Sequence, residues 1–185
     1  KSKWDASGQI PDRAVENGTI DRFGSIDPTE GGKTERYNAN LVLTHRFNNG
    51  ASWENQVFYS RYAFDLYSNF TFFLNDPVNG DEIHQAENRN IFGYSTKLNQ
   101  KNFLGNKMLN SFYGVGLRYD ATKDSRLSNV VTRKFLSDTK LGDIKQANAW
   151  AFTQQQFSSG KWLFDGGVRI DYFHFNYFDK LNVNQ

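Results

Sequence analysis

The sequence predicts an all-β protein, an antiparallel up-and-down meander of about six strands. Three observations predict it. A five-residue pattern occurs twice, as Gly116-Leu117-Arg118-Tyr119-Asp120 and as Gly167-Val168-Arg169-Ile170-Asp171. Side chains of an extended strand alternate between its faces, so each copy sets apolar groups on one face and a cation and an anion on the other. Tight-turn signals recur around Gly50, Gly105 and Gly160, while the opposite strand ends run into longer polar stretches. Finally, 17 Phe, 9 Tyr and 4 Trp coexist with a mean hydropathy of −0.70, which suits apolar stripes better than a thick aliphatic core.

A soluble β-sandwich buries its apolar face and leaves its charges in bulk water. A membrane barrel inverts this, with apolar groups toward lipid and charges toward a wet lumen. Short turns at one end and long loops at the other are the layout of outer-membrane barrels. The predicted architecture is therefore part of a larger transmembrane barrel with long outer loops.

Residues 1–35 read as one such loop, polar and turn-rich, with Trp4, Ile10 and Phe23 as residues that tend to pack. Residues 36–185 read as three β-hairpins. The first strand is clear: Tyr37, Ala39, Leu41 and Leu43 alternate with Asn38, Asn40 and Thr44, and Asn48-Asn49-Gly50 supplies a hairpin turn. The run from Ala51 to Asn75 reads as one very long strand, with a bulge where Phe73 breaks the parity. Phe58, Tyr62, Phe64 and Leu66 share one parity there, and Arg61 and Asp65 the other. Asp76 to Arg89 reads as a second polar loop. Phe92, Tyr94, Thr96 and Leu98 then alternate with smaller and polar residues up to the turn at Leu104-Gly105-Asn106-Lys107.

The first copy of the repeated pattern follows. Ala121 to Lys145 reads as a third polar stretch, with Val130 and Val131 prolonging the strand before it. Gln146 to Phe157 carries Trp150 and Phe152 on one face and Ala147, Ala149 and Ala151 on the other. The last strand runs from Trp162 into the aromatic stretch Tyr172 to Phe178.

Charge argues against several functions. Twenty-two Lys and Arg against 20 Asp and Glu give a net charge of only +2, and no basic run is interleaved with aromatics, so nucleic acid is not an expected partner. Cysteine is absent, which excludes disulfides and thiolate metal sites. No segment approaches the roughly 18 apolar residues of a membrane helix, which says nothing against a barrel. No Gly-x-Ser-x-Gly elbow or phosphate-cradling glycine loop occurs, and His45, His84 and His174 form no paired-ligand spacing. No catalytic constellation, metal site or cofactor is predicted. His84, near Asp81, Glu82 and Glu87, reads as a solvated loop histidine.

Two stretches carry a family resemblance. Trp4-Asp5-Ala6-Ser7-Gly8-Gln9-Ile10-Pro11-Asp12-Arg13, continued by Arg22-Phe23-Gly24-Ser25-Ile26-Asp27-Pro28-Thr29-Glu30-Gly31-Gly32, resembles a loop of TonB-dependent outer-membrane receptors. Tyr67-Ser68-Asn69-Phe70-Thr71-Phe72-Phe73-Leu74-Asn75-Asp76-Pro77 is similar to that family too, as are the two Gly-apolar-Arg-apolar-Asp strands.

The resemblance implies a barrel of about 22 strands around an N-terminal plug. Such receptors import scarce, bulky nutrients such as ferric siderophores, other metal complexes, cobalamin or glycans. The implied partners are that nutrient, the plug of the same full-length chain, TonB through an N-terminal box, and outer-membrane lipid. This sequence contains no stretch resembling the plug or the box. It begins at Lys1 without a secretory leader, and is expected to be a middle part of a longer receptor.

Two groups of residues follow as site candidates. Trp4, Arg13, Arg22, Asp27, Asp81, His84 and Glu87 lie in the predicted loops and offer an aromatic platform, charges and acceptors for a ligand. Arg61, Asp65, Arg118, Asp120, Arg169 and Asp171 are expected to face the lumen and to pair across neighbouring strands. The rival reading from the residues alone is a small outer-membrane or soluble β-domain that acts by adhesion.

Overall fold

The structure, a computed structural model, describes residues 1–5 and 10–181. Ala6 to Gln9 of the first resemblance stretch, and Asn182 to Gln185, lie outside the described residues. One antiparallel sheet holds seven strands in sequence order: β1 (Ser2–Asp5), β2 (Gly31–Arg46), β3 (Ser52–Ser68), β4 (Ile83–Leu104), β5 (Lys107–Val131), β6 (Lys134–Ser159) and β7 (Trp162–Asp179). A five-residue helix, α1 (Asp12–Glu16), sits between β1 and β2. The sheet does not close: β1 pairs with β2 alone, and β7 with β6 alone.

Register shows how the sequence is sorted. One row across six strands reads Leu41, Val57, Tyr94, Leu117, Ala149, Tyr172. The adjacent row reads Asn40, Phe58, Gly93, Arg118, Asn148, Phe173 and faces the other way. The sheet thus has an apolar face and a polar face along its whole width. Several polar groups on the apolar face are hydrogen-bonded to one another. The Tyr94 hydroxyl donates to Asn55 Oδ1 (2.8 Å), Trp53 Nε1 to Thr96 Oγ1 (2.6 Å), and the Tyr59 hydroxyl to Asn90 Oδ1 (2.8 Å).

Nothing among the described residues covers the apolar face. Among the described residues, the only buried hydrophobic side chains are Ala51 and Val130, while Leu41, Val57, Leu117 and Ile170 are each more than half exposed. A soluble sheet needs one face packed against a second layer, and this one has none.

Several expected boundaries move. The sheet has seven strands because β1 and the start of β2 lie inside the stretch read as a loop, so residues 1–35 are not one loop. β3 ends at Ser68, and Phe72 and Phe73 belong to the loop after it; no bulge interrupts β3. Register shifts occur instead between β4 and β5, where Asn88 pairs Lys123 and Ala86 pairs Arg126, so Asp124 and Ser125 stand opposite Glu87 alone, and at three places between β5 and β6. β4 begins at Ile83, which shortens the second loop. The largest correction is at Ala121–Lys145, which is no loop. β5 and β6 run to 25 and 26 residues and meet at Thr132-Arg133. At about 3.3 Å per residue such strands reach some 80 Å, against the 9–11 residues a barrel strand needs to cross a bilayer.

The three short turns are where expected. Gly50, Gly105 and Gly160 hold φ of 80°, 63° and 60°, values an L side chain resists.

Candidate functional site

The polar face is built from aromatics laid over glycines. A Cβ on Gly93 would stand 2.1 Å from the Phe58 ring, one on Gly114 2.2 Å from Phe152, and one on Gly116 2.4 Å from Trp150. Each ring lies flat across a neighbouring strand because that strand offers no side chain there. Gly116 of the repeated pattern is therefore a seat for an aromatic ring, whereas Gly167 in the second copy meets the Thr153 carbonyl and Gln154 and lies under no ring.

Between these rings stand the charges. Arg118 Nε and Nη2 donate to the two carboxylate oxygens of Asp120, both at 2.7 Å, and Arg169 holds Asp171 in the same way. These pairs are made within one strand, two residues apart, and not across strands as expected. The fork of the guanidinium matches the carboxylate in a bidentate contact, and a strand places residues i and i+2 on one face. The Arg169 guanidinium also lies 4.7 Å from the Trp150 ring centroid.

Arg61 and Asp65 do not join this face. Arg61 pairs Tyr37 and Asn90, and Asp65 pairs Lys33 and Ala86, on the face of Val57 and Tyr59. The parity reading failed because Phe58, Tyr62 and Phe64 look like an apolar face, yet they share the polar face with Arg36, Arg89 and Glu87. Arg36 sits 5.0 Å over the Tyr62 ring, and Trp4 6.5 Å from Phe64.

At the loop end, three segments are tied together. The turn residues Thr132 and Arg133 both hold positive φ, 48° and 63°. Arg133 Nε donates to the Thr29 carbonyl (2.6 Å), Nη2 to the Glu30 carbonyl (3.3 Å), and its backbone N–H to Glu82 Oε2 (3.1 Å). Glu82 also accepts from Thr29 Oγ1 (3.0 Å), and Glu30 from the Asn69 backbone N–H (2.9 Å). Glu30 and Glu82 are buried. Burial of carboxylates is costly unless they are hydrogen-bonded, and both are.

The loop candidates separate into distinct environments. Trp4 lies on β1 with its ring over Gly32, on the polar face. Arg13 on α1 and Arg22 in the following loop are exposed. Asp27 accepts from the Asn69 amide (2.8 Å) and the Thr29 backbone N–H (2.9 Å). Burial pushes its carboxyl up, but those hydrogen bonds and the charge of Arg133 outweigh burial and hold it below the usual carboxylate value. Asp81 accepts from Thr71 Oγ1 (2.6 Å) and from the backbone N–H groups of Asn75 and Asp76, bonds that likewise lower its pKa, Thr71 contributing most.

His84 and Glu87 are not loop residues. His84 stacks on Tyr67 (4.3 Å, 9° between planes) with Nε2 3.1 Å from Asp65 Oδ1; Glu87 pairs Arg89 at 3.1 Å on the opposite face. Asp81, His84 and Glu87 therefore do not converge. Among the described residues no three His, Asp or Glu side chains gather as metal ligands.

Sequence reasoning missed Glu30, Asn69, Glu82 and Arg133 as a group. No local signal marks them, since the sequence distance from Thr29 to Arg133 is over a hundred residues.

No curated protein and no solved structure matches the chain. The model of the TonB dependent receptor-like β-barrel family matches residues 2–184. With two segregated faces, strands far longer than a globular domain uses and that match over nearly its whole length, the chain belongs to the TonB-dependent receptor-like β-barrel family.

Proposed function

We propose that this chain forms part of the wall of an outer-membrane nutrient receptor. In this reading the apolar face meets lipid and the polar face lines the lumen. The tight turns at Gly50, Gly105 and Gly160 point to the periplasm, and the Arg133-tied loops lie outside the cell. The observation that carries it is the unbroken apolar row from Leu41 to Tyr172, exposed and without a covering layer. Hydrocarbon is the solvent in which such a face is stable.

The family implies the rest: a plug held inside the full barrel, energy delivered through TonB, and a bulky cargo. Arg118–Asp120 and Arg169–Asp171 keep the lumen wet and offer the plug two charge pairs. Their ion pairs are internally satisfied, so they contribute little binding energy of their own, at most about 1 kcal/mol each where water reaches them. Ligand recognition belongs to the outer end, where Trp4, Tyr62, Phe64 and Glu87 form one side of the lumen and the exposed Arg13 and Arg22 stand above it. A ferric siderophore, another metal complex, cobalamin or a glycan is the cargo class.

The test is uptake by cells with and without the full receptor, over a panel of labelled ferric complexes, cobalamin and oligosaccharides. Loss of one uptake activity on deletion, and its abolition by a protonophore, is the expected result. Unchanged uptake of every cargo, including under starvation for each, would contradict the reading.

A further inference from the structure

The outer end of the sheet holds a second site, on the face away from the lumen. Lys3 on β1 stands directly opposite Lys33 on β2. Like charges directly opposed across strands repel, so a protein that keeps such a pair gains by placing an anion between them. A cavity of about 240 Å³ opens there, lined by Lys3, Gly32, Lys33, Asp65, Tyr67 and Arg133. Three cations line it against one carboxylate. That carboxylate is already engaged: Asp65 lies 3.5 Å from Lys33 Nζ and 3.1 Å from His84 Nε2. Arg133 reaches the cavity 5.0 Å over the Tyr67 ring, its Nε and Nη2 fixed on the Thr29 and Glu30 carbonyls. Its guanidinium is thus held in place by carbonyl oxygens, and among the described residues no carboxylate lies within ion-pair distance of it, although Asp27 feels its charge.

Depth selects the class of anion. Lys33 and Asp65 share a face with Leu41 and Val57. Lys33 lies four residues beyond Tyr37, the last large apolar side chain of that face on β2, with the ion-paired Glu35 between them. Four residues advance about 13 Å along a strand. A tilt of about 40° makes that about 10 Å along the membrane normal. The cavity therefore stands at the level of headgroups, beyond the acyl chains.

We propose that this cavity binds the phosphate of an outer-leaflet lipid headgroup. The proposal rests on the apolar face being the lipid face. Lys3 and Lys33 grip the phosphate from two strands, and Arg133 completes the cradle. Because Arg133 also ties the three outer segments, a bound headgroup couples the lipid to the loops that stand over the lumen.

Native mass spectrometry of the full receptor in detergent, titrated with lipid A, with dephosphorylated lipid A and with inorganic phosphate, tests it. Lipid A is expected to bind at least tenfold more tightly than its dephosphorylated form. The Lys3→Gln/Lys33→Gln double variant is expected to lose that preference, and Lys3→Arg/Lys33→Arg to keep it. The glutamine variant removes the Lys3–Lys33 repulsion together with the half-exposed Lys33–Asp65 contact, and the arginine variant, which keeps both charges, controls for folding.

Equal lipid A binding by the wild type and the glutamine variant would overturn the site. Competition by inorganic phosphate at the same concentration as lipid A would overturn the lipid as its source. A spin label at Leu41→Cys reports the lipid face separately. A label reached by water-soluble relaxant and not by oxygen would overturn the barrel reading and the lipid source with it. Oxygen contact at Leu41 alongside unchanged lipid A binding would overturn the pocket alone.

Discussion

Gly93 lies beneath the ring of Phe58, so close that a Cβ would stand 2.1 Å from the ring. The two residues are register partners across β3 and β4, on the polar face. A glycine in mid-strand weakens the strand unless something covers its backbone, and here an aromatic ring does. The same relation joins Gly114 to Phe152 and Gly116 to Trp150.

Gly93→Ala is accordingly expected to unseat Phe58 from the polar face and to destabilise the barrel by about 1–3 kcal/mol, the usual cost of overpacking. In a Phe58→Ala background the same substitution should cost little, since no ring remains to displace. Urea unfolding of the four variants in a double-mutant cycle measures this. Additive effects of the two substitutions would show that ring and glycine are not coupled.

The Thr132-Arg133 turn holds two non-glycine residues at positive φ, one of them β-branched. Each such residue costs on the order of 1 kcal/mol and persists only where its surroundings enforce it. Arg133 is enforced by its contacts with Thr29, Glu30 and Glu82. Arg133→Ala should therefore free the segments around Thr29 and Glu82, read as faster protease cleavage between residues 11–30 and 69–82. Thr132→Gly should leave cleavage unchanged and raise stability by about 1 kcal/mol.

Asp27 and Asp81 both have depressed folded-state pKa values, from the hydrogen bonds they accept. A depressed carboxyl stabilises the fold above its unfolded pKa and loses that contribution as pH falls through the lower folded value. Protease resistance of the outer loops should then be flat from neutral pH to about pH 5, and fall only below the ordinary aspartate value of 3.8. Asp81→Asn should remove part of that acid transition. A transition centred near neutrality would point to a histidine instead.

Much of the fold was legible because barrel strands obey a period of two. The Leu41 strand, the three glycine turns and both Gly-x-Arg-x-Asp strands stand as the alternation predicts. The failures have particular causes. The β5–β6 hairpin was hidden because its outer turn, Thr132-Arg133, carries none of the Asn-Gly chemistry that marks a two-residue turn. Its outer halves are polar on both faces, so alternation fades.

Arg61 and Asp65 lie on the face opposite Arg118 and Asp120 because three aromatics, Phe58, Tyr62 and Phe64, belong to the polar face, where Phe58 covers Gly93. The pairing of Arg118 with Asp120 was legible as shared facing, but the sequence does not say whether such a pair closes within or across strands. The loop clasp depends on residues a hundred positions apart, and no local pattern reports that.

The central claim is that one face of this sheet meets lipid and the other water. Site-directed spin labels at Leu117→Cys and Arg118→Cys, neighbours on opposite faces of β5, test it most directly in the full receptor reconstituted in bilayers. The account predicts that the label at 117 is relaxed by dissolved oxygen and shielded from a water-soluble nickel chelate, with the reverse at 118. The same accessibility at both positions, or nickel access at 117 with oxygen access at 118, would contradict it.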